Sequence, residues 1–396
     1  MSAATQAPAT IPGAKGHTDG AGAFVPVQTR SERLRSYDPA AFETPTGREV
    51  NWKHTPVGRL SRLFADVPGD TGAVSLAVSG PIAAAGLPVG TQPRGEAFTP
   101  EDLTAAVAWS RSAEALYLSI PAEAELDETI VVEAVGGGAD LVAHAHVVIE
   151  AARHSRATVV LRHVGAAQFA QNVEIIVREG AQLELVTVQR WDDDAIHAAS
   201  HQARVERDAT LRHVVVSFGG GVVRVNPSVE LAGTGSRAEL YGLSFADSGQ
   251  HLESQVYLHH KGAETTGDVL YKGALQGEAA RSVWIGDVLI GRDAVGTDSY
   301  EANRNLVLTD GARAESIPNL EIETGDIRGA GHASATGRFD DEQLFYLQSR
   351  GIAEEEARRL VVLGFLAEIV QKIGIESLQT ELFAAIEEEL AQEVAR

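Results

Sequence analysis

The chain carries 13 histidines and no cysteine, so any metal it holds must be met by imidazole and carboxylate rather than by thiolate. His144 and His146, in AHAHVV, stand two apart on an expected strand and therefore share a face, a spacing that permits a shared metal. No third ligand stands at an obvious spacing, and a structural pair is the plainer reading. The stretch RWDDDAIHAASH sets Asp192, Asp193 and Asp194 beside His197 and His201, donor types that suit calcium or zinc. The same residues also make a solvated acidic loop leading into the next strand. His332 stands alone among small residues in GDIRGAGHASATG. One imidazole is a poor metal site, since structural zinc takes four protein ligands and catalytic zinc keeps three; His332 binds metal only with help.

Other chemistry finds little footing. The glycine runs VGGGAD and SFGGGVV lack the Lys-Ser/Thr ending of a phosphate-binding loop, and no G-x-x-x-x-G-K-[ST] occurs. ATP hydrolysis therefore belongs to another chain. There is no G-x-S-x-G elbow, and the motifs do not mark an enzyme.

These residues need elements to hold them. At 396 residues and 44% hydrophobic composition the chain can fill a sizeable core. Its net charge of −22 has the wrong sign for coating nucleic acid or an anionic membrane. No apolar run is long enough to cross a bilayer, and residues 1–25 read as a disordered Ala/Pro/Thr/Gly leader without the order of a signal peptide. The expected location is the cytoplasm. Residues 26–127 mix short helical periodicity with breakers, an N-terminal helical or mixed region.

From about residue 128 to 337 short Val/Ile/Leu/Thr runs alternate with Gly, Asp and Asn turns. Several runs open on one cue, a Gly or charged turn followed by Ala, at Ala157, Ala181, Ala209, Ala238, Ala263, Ala294 and Ala312. The cues are irregularly spaced, near the length of one solenoid coil. With few Asn-Gly or Asp-Gly hairpin signals, a mainly β protein built on a parallel β-helix fits better than a sandwich.

Residues 338–396 read as helical and able to cap the solenoid's open end. DDEQLFYLQSRG starts acidic and stops at Gly351, and AEEEARRLVVLGFLAEIVQKIG repeats that order, with Leu360, Leu363, Ile369 and Ile373 on a broad apolar face. Leu378, Leu382, Ile386, Leu390 and Val394 form a narrower stripe.

Residues 48–373 resemble the SufB/SufD family of the SUF iron-sulfur cluster assembly system. The resemblance is carried by REVNWKHTP, VYLHH and DVLYKGAL, and above all by the late block with SIPNLEIE, GHASATG and DEQLFYLQSRGI, followed by EEEARRLVVLGF. It implies a right-handed parallel β-helix flanked by helical regions. The absence of cysteine resembles the SufD branch rather than SufB, whose cysteines carry the nascent cluster. SufD-like chains usually read Cys-Ser-His-Gly-Ala-Thr before the last helices; here His332 matches the His, with Ala330 at the usual Cys and Ala333 at the following Gly.

What the resemblance implies is a non-catalytic scaffold that binds no cofactor alone. It would share a transient iron-sulfur cluster through His332 with a SufB-like paralogue, and dock a SufC-like ABC ATPase through Leu344, Phe345, Tyr346, Arg350, Gly351, Arg358, Arg359 and Phe365. The rival readings are a parallel β-helix enzyme acting on polysaccharide, with the WDDD aspartates on Ca²⁺, and a purely structural oligomerisation protein.

Overall fold

A computed structural model of the chain describes residues 33–339 and 341–394; the expected leader lies outside them. Residues 34–396 form one compact unit, mainly β and built as a parallel solenoid of about eight turns. Ahead of the coils come β1 (Val74–Ser79), β2 (Ala84–Pro88), helix α1 (Leu103–Arg111) and β3 (Glu114–Ile120). The solenoid follows as β4 (Ile130–Ala151), β5 (Arg156–Val177), β6 (Gln182–Trp191), β7 (Ile196–Val205), β8 (Thr210–Ser217) and β9 (Val222–Leu231). It continues as β10 (Arg237–Ala246), β11 (His251–His260), β12 (Thr266–Leu275), β13 (Arg281–Ile290), β14 (Thr297–Val307), β15 (Arg313–Ile322) and β16 (Ile327–Arg338).

Each coil contributes one strand to each of two sheets. The even strands β6 to β16 stack along one, the odd strands β7 to β15 along the other, and the long β5 pairs into both. One coil advances the chain from Arg156 to its partner Gln182 at one end and from Arg281 to Arg313 at the other. The alanine cues are less regular because Ala312 opens an odd strand, whereas the other six open or precede strands running into the even sheet.

Those six share a corner. His154, Gly180, Asp208, Gly235, Glu264 and Gly296 all hold a left-handed φ between +54° and +72°. The N–H of each of the six donates to a carbonyl in the next coil, as from Gly180 to Arg207 and from Gly235 to Ala263, both 2.9 Å. Gly235 fits without the cost a Cβ incurs in this region; the turn-plus-Ala cue is the sequence trace of this stack.

Period-two alternation sends Leu183, Leu185, Val223, Val225, Leu240 and Val269, among others, into the lumen between the sheets. The opposite side chains of the even strands, Val186, Val214, Val216, Tyr241 and Phe245, form a second apolar strip on the outside. Helices α2 (Asp341–Ser349), α3 (Glu354–Val370) and α4 (Glu376–Val394) end the chain. Val362, Leu366 and Ile369 of α3 and Leu378, Leu382 and Ile386 of α4 are buried on that strip.

The helices therefore cover a flank of the solenoid, not its end as the sequence led us to expect. The reason is the strip itself, a run of apolar side chains over successive coils that would otherwise face water. The odd sheet is covered in turn by the N-terminal region, with Trp52, Leu60 and Leu63 packed on Ala170, Ile196 and Val222. At the first coil, β1 pairs antiparallel with β4 and β2 with β3, which closes that edge. At the last coil, among the described residues, β15 pairs only with β13 and β16 only with β14.

Candidate functional site

His332 lies on β16, the final even strand, where parallel pairing sets it opposite Glu301 of β14, with Ala330 opposite Ser299 and Ser334 opposite Asn303. Its imidazole is 46% exposed, and Nδ1 stands 3.7 Å from Oε1 of Glu301, whose side chain is only 1% exposed. Neither carboxylate oxygen of Glu301 has a hydrogen-bond partner. Burial, helped by the charge of Asp287, pushes this carboxyl up to about 8. Room for it comes from Gly286 on β13, where a Cβ would come within 2.4 Å of Glu301 Oε2 and 2.3 Å of the Trp284 ring. Beside it, Ser334 Oγ meets Ser316 Oγ at 2.8 Å, tying β16 to β15.

The other expected histidines go elsewhere. His146 faces outward from the solenoid under the N-terminal region, edge-on to Phe98 and Trp109 at 5.1 and 4.9 Å, with Nε2 3.3 Å from Glu174. His144 shares that face of β4, and burial lowers its pKa. His197 and His201 do not belong to the acidic turn before them; both are buried in the lumen. His197 stacks on Phe169 at 5.2 Å, and His201 Nδ1 meets His213 Nε2 at 2.9 Å. The turn itself is tethered through Asp193, which accepts from Gln250. Among the described residues no group of three or more His, Asp or Glu is arranged to hold a metal.

The helical residues divide by exposure. Phe345 and Tyr346 of α2 are 71% and 56% exposed, and Leu360 of α3 is 43% exposed, whereas Leu344 is buried. Arg350 lies over the Tyr346 ring at 5.1 Å, and Gly351 ends the helix with φ +83°. Arg358 covers Phe339 at 4.8 Å and pairs with Glu354. Arg359 is taken up by Glu356 and by Glu387 of α4. Phe365 is half-buried under Lys272, whose Nζ also reaches Glu368 at 2.6 Å.

Glu301 was not singled out by the sequence reading, although a signal existed. Thr297, Ser299, Glu301, Asn303 and Asn305 alternate with Asp298, Tyr300, Ala302 and Arg304, and all five of that polar set are buried. A strand whose inward face is polar is the mark of a site, or of a hydrogen-bonded ladder such as Asn305 to Asn303 at 2.7 Å.

Comparison with known proteins identifies the family. Residues 134–365 match the family model described as SUF system FeS cluster assembly, SufBD core domain. The chain belongs to the SufBD family. A protein of Mycobacterium bovis named an iron-sulfur cluster assembly SufBD family protein is 47% identical over 372 residues, 91% of this chain and 93% of that one. A Mycobacterium leprae protein of the same description is 45% identical over 377 residues, 93% and 96% of the two chains. Mycobacterium leprae also has a second SufBD family protein, 30% identical over 204 residues, which are 52% of this chain and 23% of that longer one. SufBD paralogues thus coexist in one organism. Among the described residues no helix is long and apolar enough to cross a membrane.

Proposed function

We propose that the chain is a cysteine-free, SufD-type scaffold of iron-sulfur cluster assembly, in which the last coil of the solenoid meets a thiolate-bearing SufB-type paralogue. The observation that carries this reading is the terminal coil, where among the described residues no further strand pairs with β15 or β16, with His332 half-exposed beside it. An unpaired edge of this kind is a template for another chain. Iron is cargo here, and an imidazole above a buried carboxyl with no other partner is a donor set that suits ferrous iron. Because these donors are too few to close a coordination sphere, the remaining ligands would come from the paralogue.

The α2–α3 surface around Phe345 and Tyr346 is the proposed docking site for a SufC-type ATPase. Movement of that ATPase would strain or open the contact between the paralogues and admit iron and sulfide. Nothing favours the polysaccharide reading: among the described residues no three carboxylates or imidazoles, the WDDD turn included, are grouped to hold a metal.

The test is co-expression with a cysteine-bearing paralogue and an ABC-type ATPase, followed by anaerobic cluster assembly. His332→Ala should leave the three chains together and strongly lower the cluster yield. Full yield from that variant, or failure of the wild-type chains to associate, would sink the proposal.

A further inference from the structure

Three features of the last coil bear on how iron is held there. The first is Glu301 itself: 1% exposed, with both oxygens unpaired. A buried carboxyl without a partner costs stability, whichever proton state it takes. Within the folded chain it does nothing to offset that cost. The second is the niche, since the missing side chain at Gly286 leaves room for Oε2 beside Trp284. The third is register: Glu301 and His332 are direct neighbours across β14 and β16, both on the lumen side.

The separation also fits. Bonds of about 2.1 Å from a metal to nitrogen and to oxygen span up to roughly 4.2 Å between donors, and Nδ1 and Oε1 stand 3.7 Å apart. A divalent ion seated between them closes an angle of about 120°. On the same side of β16, Ala330 offers no donor and the Oγ of Ser334 is taken up by Ser316, so a second ligand from this chain comes from the neighbouring strand.

We infer that His332 Nδ1 and the Glu301 carboxylate form a two-donor half-site for a divalent cation of the ferrous type, completed by donors from the partner chain. The inference rests on the reading that the last coil meets a paralogue. It adds that this chain supplies an oxygen ligand as well as a nitrogen, and that Gly286 is the residue whose size keeps the oxygen in place.

The experiment is anaerobic Fe²⁺ binding to the complex with the cysteine-bearing paralogue, in competition with a chromophoric chelator, with association checked separately by size exclusion. Glu301→Gln keeps the shape and should weaken Fe²⁺ binding at least about tenfold. His332→Ala should do the same, and the double variant should be little worse than either, because the two act as a unit. Glu301→Met should lose Fe²⁺ equally while its thermal midpoint stays level or rises.

Glu301→Gln binding within twofold of wild type, while His332→Ala fails, would overturn the inference and leave the scaffold reading standing. So would a fall in the midpoint of Glu301→Met, the sign of a structural role. If His332→Ala also binds normally, the half-site and the iron role of this end fall together. If the chains do not associate, the reading beneath the inference falls and the half-site falls with it.

Discussion

The guanidinium of Arg224 lies over the indole of Trp52 at 4.1 Å. The same group, 2% exposed, pairs with Asp102 at 2.9 Å and Glu253 at 3.0 Å. One side chain of β9 thereby fastens the N-terminal region to the outside of the odd sheet. Arg224→Met would leave two buried carboxylates without their cation, each held only by its remaining hydrogen bonds, and we expect a loss of about 3–5 kcal/mol. Thermal unfolding measures it; early proteolytic release of the residues before β1 should accompany it. A loss below about 1 kcal/mol would show that the cover is held by packing alone.

Among the described residues five buried histidines line the lumen, His260, lowered to about 3, with the four that follow, and burial sets their response to acid. His163 and His213 are lowered from 6.5 to about 4, and His197 and His201 lie well below the ordinary value, each chiefly through burial. Between 6.5 and about 4 the unfolded chain takes up protons that the folded chain refuses, so stability is complete above 6.5 and declines as pH falls through this window. Unfolding midpoints should fall as pH drops from 6.5 to 4.5, the histidines outweighing the opposite pull of Glu301 and Glu389, raised to about 8 and about 7, and His213→Gln should flatten part of the slope. A profile flat down to pH 5 would contradict this. Glu253, lowered to about 2, acts in the opposite sense of charge: its contribution is present above its ordinary value of 4.5 and lost only as pH falls towards 2.

The corner stack predicts opposite outcomes for two substitutions. Glu264 is a side-chain-bearing residue at φ +56°, and its pairing with Arg328 at 3.7 Å joins two exposed groups, a contact worth little. Glu264→Gly should stabilise by about 0.5–1 kcal/mol. Gly235→Ala, at φ +72° with its new Cβ 2.5 Å from Asp208 Oδ1, should cost about 1–2 kcal/mol. Chemical denaturation of the pair checks both signs at once.

On the helices, Phe345→Ser with Tyr346→Ser removes the two most exposed aromatic side chains and should change stability by less than about 0.5 kcal/mol. It should weaken association with an ABC-type ATPase at least about tenfold, as loss of an aromatic anchor does. Association measured by interferometry at wild-type strength would move the docking surface off α2.

Strand existence and coil length were legible because alternation and corner residues are local properties. What alternation leaves open is which face is the inside. His144 and His146 share a side, as do His197 and His201, yet the first pair looks outward under the N-terminal cover and the second into the lumen; only the stacking of whole coils decides. Glu301 escaped notice for a similar reason, since its meaning comes from His332, 31 residues later but adjacent across one strand pair. The apolar faces of α3 and α4 were readable, but their resting place was not. That place depends on a strip assembled from one or two residues of each coil.

That strip has a consequence in time. Arg162 of β5 grips Glu381 of α4 through two contacts of 2.7 and 2.5 Å, across 219 residues of sequence. At ribosomal speeds of about 5–20 residues per second that interval takes about 10–40 s to synthesise. Throughout it the early coils stand on the ribosome with Val160, Val186 and Val214 bare. A nascent chain of this kind should draw chaperones to its flank until the last helix emerges, and a premature stop between Arg338 and Glu354, which removes both covering helices, should yield a chain that coils correctly and still aggregates.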